Sequence, residues 1–157
     1  MSTRSVKHGS FTLERLYDAS PAVTFGAWSN AEAKRTWWGP PDDAEMTHQM
    51  DFRVGGLESS VMSGHAGARW TFDAQYHDIV ENERIVFSYQ MTRDYQLASV
   101  SVTVVQLTPH GAGTKLTLTE YDVFLDGIDE MAERKQGTAL LLESLAKALD
   151  EGKVSAV

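Results

Sequence analysis

The chain of 157 residues contains no cysteine, which excludes disulfides, thiol nucleophiles and cysteine-based zinc sites. That composition fits a reducing cytosol, and cytoplasmic location is the expectation. Basic side chains are also few. Fourteen Lys and Arg stand against 22 Asp and Glu, for a net charge of −8. Such a chain repels phosphate backbones, and no Lys/Arg cluster supplies a local basic patch, so no nucleic-acid partner is expected. Long apolar runs are missing as well. None approaches the ~20 residues of a membrane helix, and the polar stretch 1–10, with Arg4, Lys7 and His8, holds no signal-peptide core, so no membrane partner is expected. The five histidines are dispersed, without a His-x-x-x-His pair or a carboxylate cluster, so neither a metal nor a cofactor is expected. There is no Gly-x-Ser-x-Gly elbow and no phosphate loop.

What remains is patterned as one domain. A chain of this length buries roughly 70% of its unfolded surface and needs no covalent staples. The domain is expected over 11–151, with 1–10 and 152–157 as flexible termini. Phe11 to Asp18 reads as a strand, with Phe11, Leu13 and Tyr17 at even spacing and Leu16 opposite. Ser20-Pro21 supplies a helix start, and Phe25 and Trp28 share one face of the short helix. Asn30 can cap a second short helix, with Glu32 in its first turn. That helix should end at Trp37-Trp38-Gly39-Pro40-Pro41.

From there to Phe124 the period changes to two. Met46, His48, Met50 and Phe52 alternate with polar residues, and Gly55-Gly56 marks a turn. A strand follows through Val61 and Met62, and the next carries Trp70, Phe72, Ala74 and Tyr76 on one face. Asn82-Glu83 turns the chain into Ile85, Phe87, Tyr89 and Met91. Val100, Val102 and Val104 then alternate with Ser101 and Thr103. Gly111-Ala112-Gly113 leads into Leu116 and Leu118, with Glu120 next on their face. Strands this close, without helix-length crossovers, pair antiparallel. Asp51 and Arg53 share a strand face and can form an ion pair.

Asp126 can cap the final helix, with Asp129 in its first turn. Thr138, Leu141, Leu142, Leu145, Ala148 and Leu149 form an apolar stripe at helical spacing, and Gly152 terminates the helix. Gly137 inside it costs about 1 kcal/mol against alanine. Close approach to a neighbouring backbone would compensate. The fold class is therefore α+β: a curved antiparallel sheet of about seven strands, two short helices after strand 1, and a long C-terminal helix across the sheet. One helix cannot fill the concave side of such a sheet, which leaves space between them.

Several ordered motifs resemble those of the activator of heat-shock-protein-90 ATPase homologue family (Aha-type, AHSA). They are Ala27-Trp28-Ser29-Asn30-Ala31-Glu32 with Trp37-Trp38-Gly39-Pro40, Asp51-Phe52-Arg53-Val54-Gly55-Gly56, Glu83-Arg84-Ile85-Val86-Phe87, and Gly113-Thr114-Lys115-Leu116-Thr117-Leu118. The resemblance spans about Phe11 to Leu149. It departs at Phe52, where leucine is usual, and at Gly137-Thr138, where Gly-Trp is common. That family belongs to the SRPBCC superfamily, whose START-like, pollen-allergen-like helix-grip fold implies an internal cavity for hydrophobic or aromatic molecules. The family's name implies a chaperone partner and the stress response.

The candidate lining of that cavity is Trp38, His48, Met50, Met62, Trp70, Phe72, Tyr76, Phe87, Tyr89, Met91, Glu120, Thr138 and Leu142. The plainer alternative is that these side chains simply fill the core. His48 lies on an apolar-looking strand face, where it would orient a ligand, act as an acid/base, or be satisfied by a neighbouring strand. Glu120 either points inward with a raised pKa, able to pair with His48, or is released to solvent by a bend near Tyr121. His77 and Asp78, adjacent on a strand, point to opposite faces and form no dyad. His65 reads as a loop residue.

Three functions follow in order of expectation. The first is non-enzymatic binding of a hydrophobic or aromatic small molecule. The second is regulation of a heat-shock ATPase. The third is a cavity enzyme, cyclase or hydrolase, using His48 and Glu120. Exposed edge strands or the short helices offer a route to a homodimer.

Overall fold

The computed structural model describes residues 4–39, 46–63 and 67–154. The element order is β1 (Val6–Tyr17), α1 (Pro21–Ser29), α2 (Ala31–Arg35), β2 (Thr47–Met50), β3 (Leu57–Met62), β4 (Trp70–Val80), β5 (Arg84–Arg93), β6 (Gln96–His110), β7 (Gly113–Leu125) and α3 (Met131–Asp150). The seven strands form one antiparallel sheet in the order β1-β7-β6-β5-β4-β3-β2. This is the expected α+β helix-grip architecture, with α3 packed on the concave face. Tyr17 on β1 fastens the helix by donating its hydroxyl to the Leu142 carbonyl at 3.0 Å.

Local chemistry explains most boundaries. Ser20 accepts from the Val23 amide, and Pro21 occupies the first turn of α1. Asn30 closes α1 and caps α2 by accepting from the Ala33 amide. Gly56 forms the β2–β3 turn because a Cβ there would lie 2.0 Å from the Asp51 carbonyl oxygen. The predicted Arg53–Asp51 ion pair forms at 2.7 Å on this exposed turn. Gly152, at φ +70°, ends α3 while the Lys153 amide donates back to the Ala148 carbonyl. Pro40, Pro41 and His65 lie outside the described residues.

Three expectations need correction, and one strand settles a face that its alternation left open. Strand β1 begins at Val6, because residues 6–10 pair with 121–125 of β7. Helix α3 begins at Met131, and Asp126 does not cap it. At φ +57°, Asp126 instead accepts from the Ser5 amide and Arg4, tying the β7 end to the start of β1. Gly137 allows no close backbone approach: it is exposed, and a Cβ there would meet nothing within 4 Å. Finally, β6 turns its hydroxyls inward. Ser101 and Thr103 are 2% and 1% exposed, whereas Val100 and Val102 are 44% and 41% exposed.

Candidate functional site

The inversion of β6 follows from what β7 points at it. Along β7 the inward residues are Leu116, Leu118, Glu120, Asp122 and Phe124, and the strand runs straight to Leu125 without a bend at Tyr121. Register places Thr103 opposite Glu120 and Ser101 opposite Asp122. Buried carboxylates need hydrogen-bond donors, and inward valines would supply none. Thr103 donates to Glu120 Oε1 at 2.8 Å, Tyr89 donates to its Oε2 at 2.8 Å, and Ser101 donates to Asp122.

Arg134 of α3 completes this group. Its guanidinium donates to Ser99 at 2.7 Å, the Tyr89 hydroxyl at 2.9 Å, Asp129 at 2.9 Å and Asp122 at 3.3 Å. One helix side chain thus locks the start of α3 to three strands. Burial, and then Asp122 beside it, push the Glu120 carboxyl up to about 8, so it is mostly protonated at neutral pH.

A second buried group lies toward the other edge of the sheet. Lys34 Nζ on α2 meets Glu58 Oε1 of β3 at 2.7 Å, and His48 Nε2 of β2 meets Glu58 Oε2 at 2.8 Å. Tyr76 of β4 donates its hydroxyl to the same carboxylate. The ammonium stands 4.3 Å from the Trp38 ring centroid and 5.5 Å from that of Trp28. Burial alone would raise the Glu58 carboxyl, but Lys34 and the hydrogen bonds from His48, Lys34 and Tyr76 outweigh it and hold it at about 2. Burial pulls the Lys34 ammonium down while Glu58 opposes that pull. Three buried polar atoms of this region lack hydrogen-bond partners among the described residues: His48 Nδ1, Ser60 Oγ and Trp28 Nε1.

The expected His48–Glu120 pair does not form. Each carboxyl partner is local, and four strands separate β2 from β7 in the sheet order. His77 and Asp78 likewise take separate partners, Ser88 and Arg84.

The remaining predicted residues divide by depth. Phe72, Tyr76, Phe87, Tyr89 and Leu142 are buried, and their rings touch in series: Phe72 to Tyr89 at 4.8 Å, Phe87 to Tyr89 and to Tyr76 at 6.1 Å. They fill the middle of the concave face. Met62, Trp70 and Met91, on the inward faces of β3, β4 and β5, are only half-buried, as are Trp38 and Thr138. Met62 is opposite Trp70, Met91 is opposite Phe72, and Trp38 lies edge-on to Phe72 at 5.1 Å. These positions gather at one end of the sheet, the end over which Arg134 holds the start of α3. Met50 and Phe52, also half-buried, pack near the opposite end, where Phe52 meets Tyr76 at 4.9 Å. A separate open groove of about 660 Å³ runs between α1, α2, the Asn82 turn and Lys153, and contains none of the predicted lining.

With that geometry in place, similarity is informative. The family model described as Activator of Hsp90 ATPase homolog 1-like protein matches residues 18–150. The chain belongs to this activator family. Among solved structures, an uncharacterised protein from Rhizobium leguminosarum is 36% identical, with TM-score 0.91 over 96% of this chain and 99% of its own. A protein from Rhizobium loti is 47% identical, with TM-score 0.84 over 91% and 98%. At 22% identity and TM-score 0.75, a protein from Arthrobacter aurescens, covering 94% of this chain and 91% of its own, shares the fold. No curated protein matches. Membership of the activator family suggests a ligand-binding or co-chaperone-like role without fixing the ligand or partner. No helix among the described residues is long and apolar enough to cross a membrane.

Sequence reasoning missed Lys34, Glu58, Asp122 and Arg134. A signal existed for Arg134, which precedes Thr138 by four and Leu141 by seven, so the inward stripe of α3 extends back to it. Glu58 shares parity with Met62, yet a strand of six residues with polar groups on both faces hides that parity.

Proposed function

We propose that the protein binds a small apolar or aromatic molecule at the open end of the sheet–helix interior. The observation that carries this reading is the change of exposure along single strands. Inward residues of β3, β4 and β5 are buried through their middles but half-exposed at Met62, Trp70 and Met91. Apolar side chains facing a concave interior and still reached by solvent are the ordinary lining of a ligand site. Methionine adapts to irregular ligands, and tryptophan adds a flat contact area. Family membership supports the same reading.

Binding there is non-covalent and needs no acid/base pair. The buried ion groups serve as the frame: Lys34 is caged by aromatic rings and Glu58, and Arg134 is engaged by six side chains. The test is a fluorescence titration with anilinonaphthalene sulfonate and with indole, on the wild type and on Met91→Lys. Saturable binding that weakens at least ~10-fold in the variant is expected, since a charge at an apolar contact costs more than 1.4 kcal/mol. Absence of binding by the wild type, or equal binding by both proteins, would overturn the proposal.

A further inference from the structure

We infer that the guest of the open end is a neutral phenol or aromatic alcohol, whose hydroxyl donates to His48 Nδ1 and accepts from Ser60 Oγ. The inference rests on the apolar site proposed above and names the class of molecule it takes. Two of the three buried polar atoms without partners among the described residues belong to one cross-strand pair, since register sets His48 of β2 opposite Ser60 of β3. The His48 side chain and Ser60 are each 1% exposed. Opposite residues of an antiparallel pair stand about 4.5–5.5 Å apart at Cβ, so one small group can reach both. Buried orphans are costly, and the other buried serines and threonines among the described residues all have partners. Position ties the pair to the open end. Inward residues of β3 run Glu58, Ser60, Met62, so Ser60 lies one row inside Met62, roughly 7 Å along the strand. Phe72 is opposite Ser60 on β4, and the half-buried Trp38 ring stands edge-on to it at 5.1 Å. A ring resting on Met62 and Trp70 therefore has an aromatic wall beside its inner end and this polar pair at its tip.

Hydrogen bonding selects the group. The Glu58 carboxylate only accepts, so His48 Nε2 carries the hydrogen in their 2.8 Å contact. In the neutral imidazole Nδ1 is then a bare acceptor, while the Ser60 hydroxyl both gives and takes. A guest hydroxyl satisfies the two atoms at once. A ketone leaves Nδ1 unmatched, and an amine leaves the Ser60 hydrogen unused. A carboxylate has no hydrogen for Nδ1 and would bring a second negative charge near Glu58. The imidazole is held in place for this role at two points. Glu58 takes its Nε2 hydrogen, and Arg35 Nη2 donates to the His48 carbonyl at 3.0 Å.

The experiment is isothermal titration calorimetry of the wild type and Ser60→Ala with para-cresol and with toluene, which differ only by the hydroxyl. The wild type should bind para-cresol at least ~10-fold tighter than toluene. Ser60→Ala should lose most of that preference while still binding toluene. Because the substitution removes a buried hydroxyl without a partner, the variant should fold at least as well as the wild type. A second measurement reads the same contact with no substitution at all. In ¹⁵N NMR of the wild type, the His48 Nδ1 signal should shift on saturation with para-cresol and stay in place with toluene. Equal affinity for the two probes, a preference kept by Ser60→Ala, or an unmoved Nδ1 signal overturns the inference and leaves the apolar site standing. Binding of neither probe removes both.

Discussion

The middle and the open end of the concave face are built from neighbouring residues of the same strands, yet they are opposite in character. The middle is closed and polar at its heart, with Lys34, Glu58, Glu120 and Arg134 each 7% exposed or less. The open end is apolar and half-exposed. Burying charges gives little net stability, but removing one partner from a buried pair is severe, so such groups fix geometry more than they add free energy. The middle therefore acts as a frame that holds two helices at set positions. The open end, over which Arg134 holds α3 but where no ion pair joins the lining side chains among the described residues, is where side chains can adapt to a guest. Within the middle, two glutamates of similar burial also differ: Glu58 faces one ammonium and no other carboxylate, while Glu120 shares its guanidinium with Asp122 and Asp129. The first stays ionised and the second holds its proton.

Lys34→Met breaks the contrast most strongly. It leaves the buried Glu58 without its ammonium, held only by His48 and Tyr76, and should lower unfolding free energy by about 3–5 kcal/mol in a urea titration. Lys34→Met combined with Glu58→Leu should recover much of that loss. Arg134→Met should cost about 3 kcal/mol, and it should also speed hydrogen exchange at the start of α3, because the helix loses its tie to Tyr89, Ser99 and Asp122.

The pH dependence of stability sharpens the difference between the glutamates. Glu58 falls from 4.5 to about 2 on folding, so its contribution is present above pH 4.5 and lost as pH falls toward 2. Glu120 rises from 4.5 to about 8, so its contribution is complete below pH 4.5 and lost as pH climbs through about 8. Glu120→Gln keeps the hydrogen-bonding shape without the titration. It should match the wild type within about 1 kcal/mol near pH 4.5, become the more stable protein as pH rises, and flatten the decline between pH 4.5 and 8. A decline that persists in the variant would assign it elsewhere.

The smallest stability effect belongs to the open end. Met91→Lys should cost about 1 kcal/mol or less, since its side chain can reach water, while ligand affinity falls.

How legible these regions were follows from the same physics. Apolar alternation marked β4 and β5 clearly, and Ser20, Asn30 and Gly152 signalled helix ends through local hydrogen bonding. Glu120 was legible as an inward carboxylate because Leu116 and Leu118 set its parity. Its partners were not, since Arg134 and Tyr89 reach it only through tertiary packing. Alternation alone leaves the face of β6 open, and the apolar residues face out because β7 demands hydroxyls inside. Lys34 on a five-residue helix gave no signal, as its burial depends on Glu58, 24 positions away. The half-exposed row of Met62, Trp70 and Met91 was named from the sequence among other lining residues, but its depth is a property of where α3 is held.

The most direct test is methyl NMR of protein carrying ¹³C-methyl methionine during titration with indole. Binding at the open end predicts saturable shifts of the Met62 and Met91 methyls, with Met50 and Met131 unmoved. Shifts confined to Met50 or Met131, or no saturable shift at all, would contradict the account.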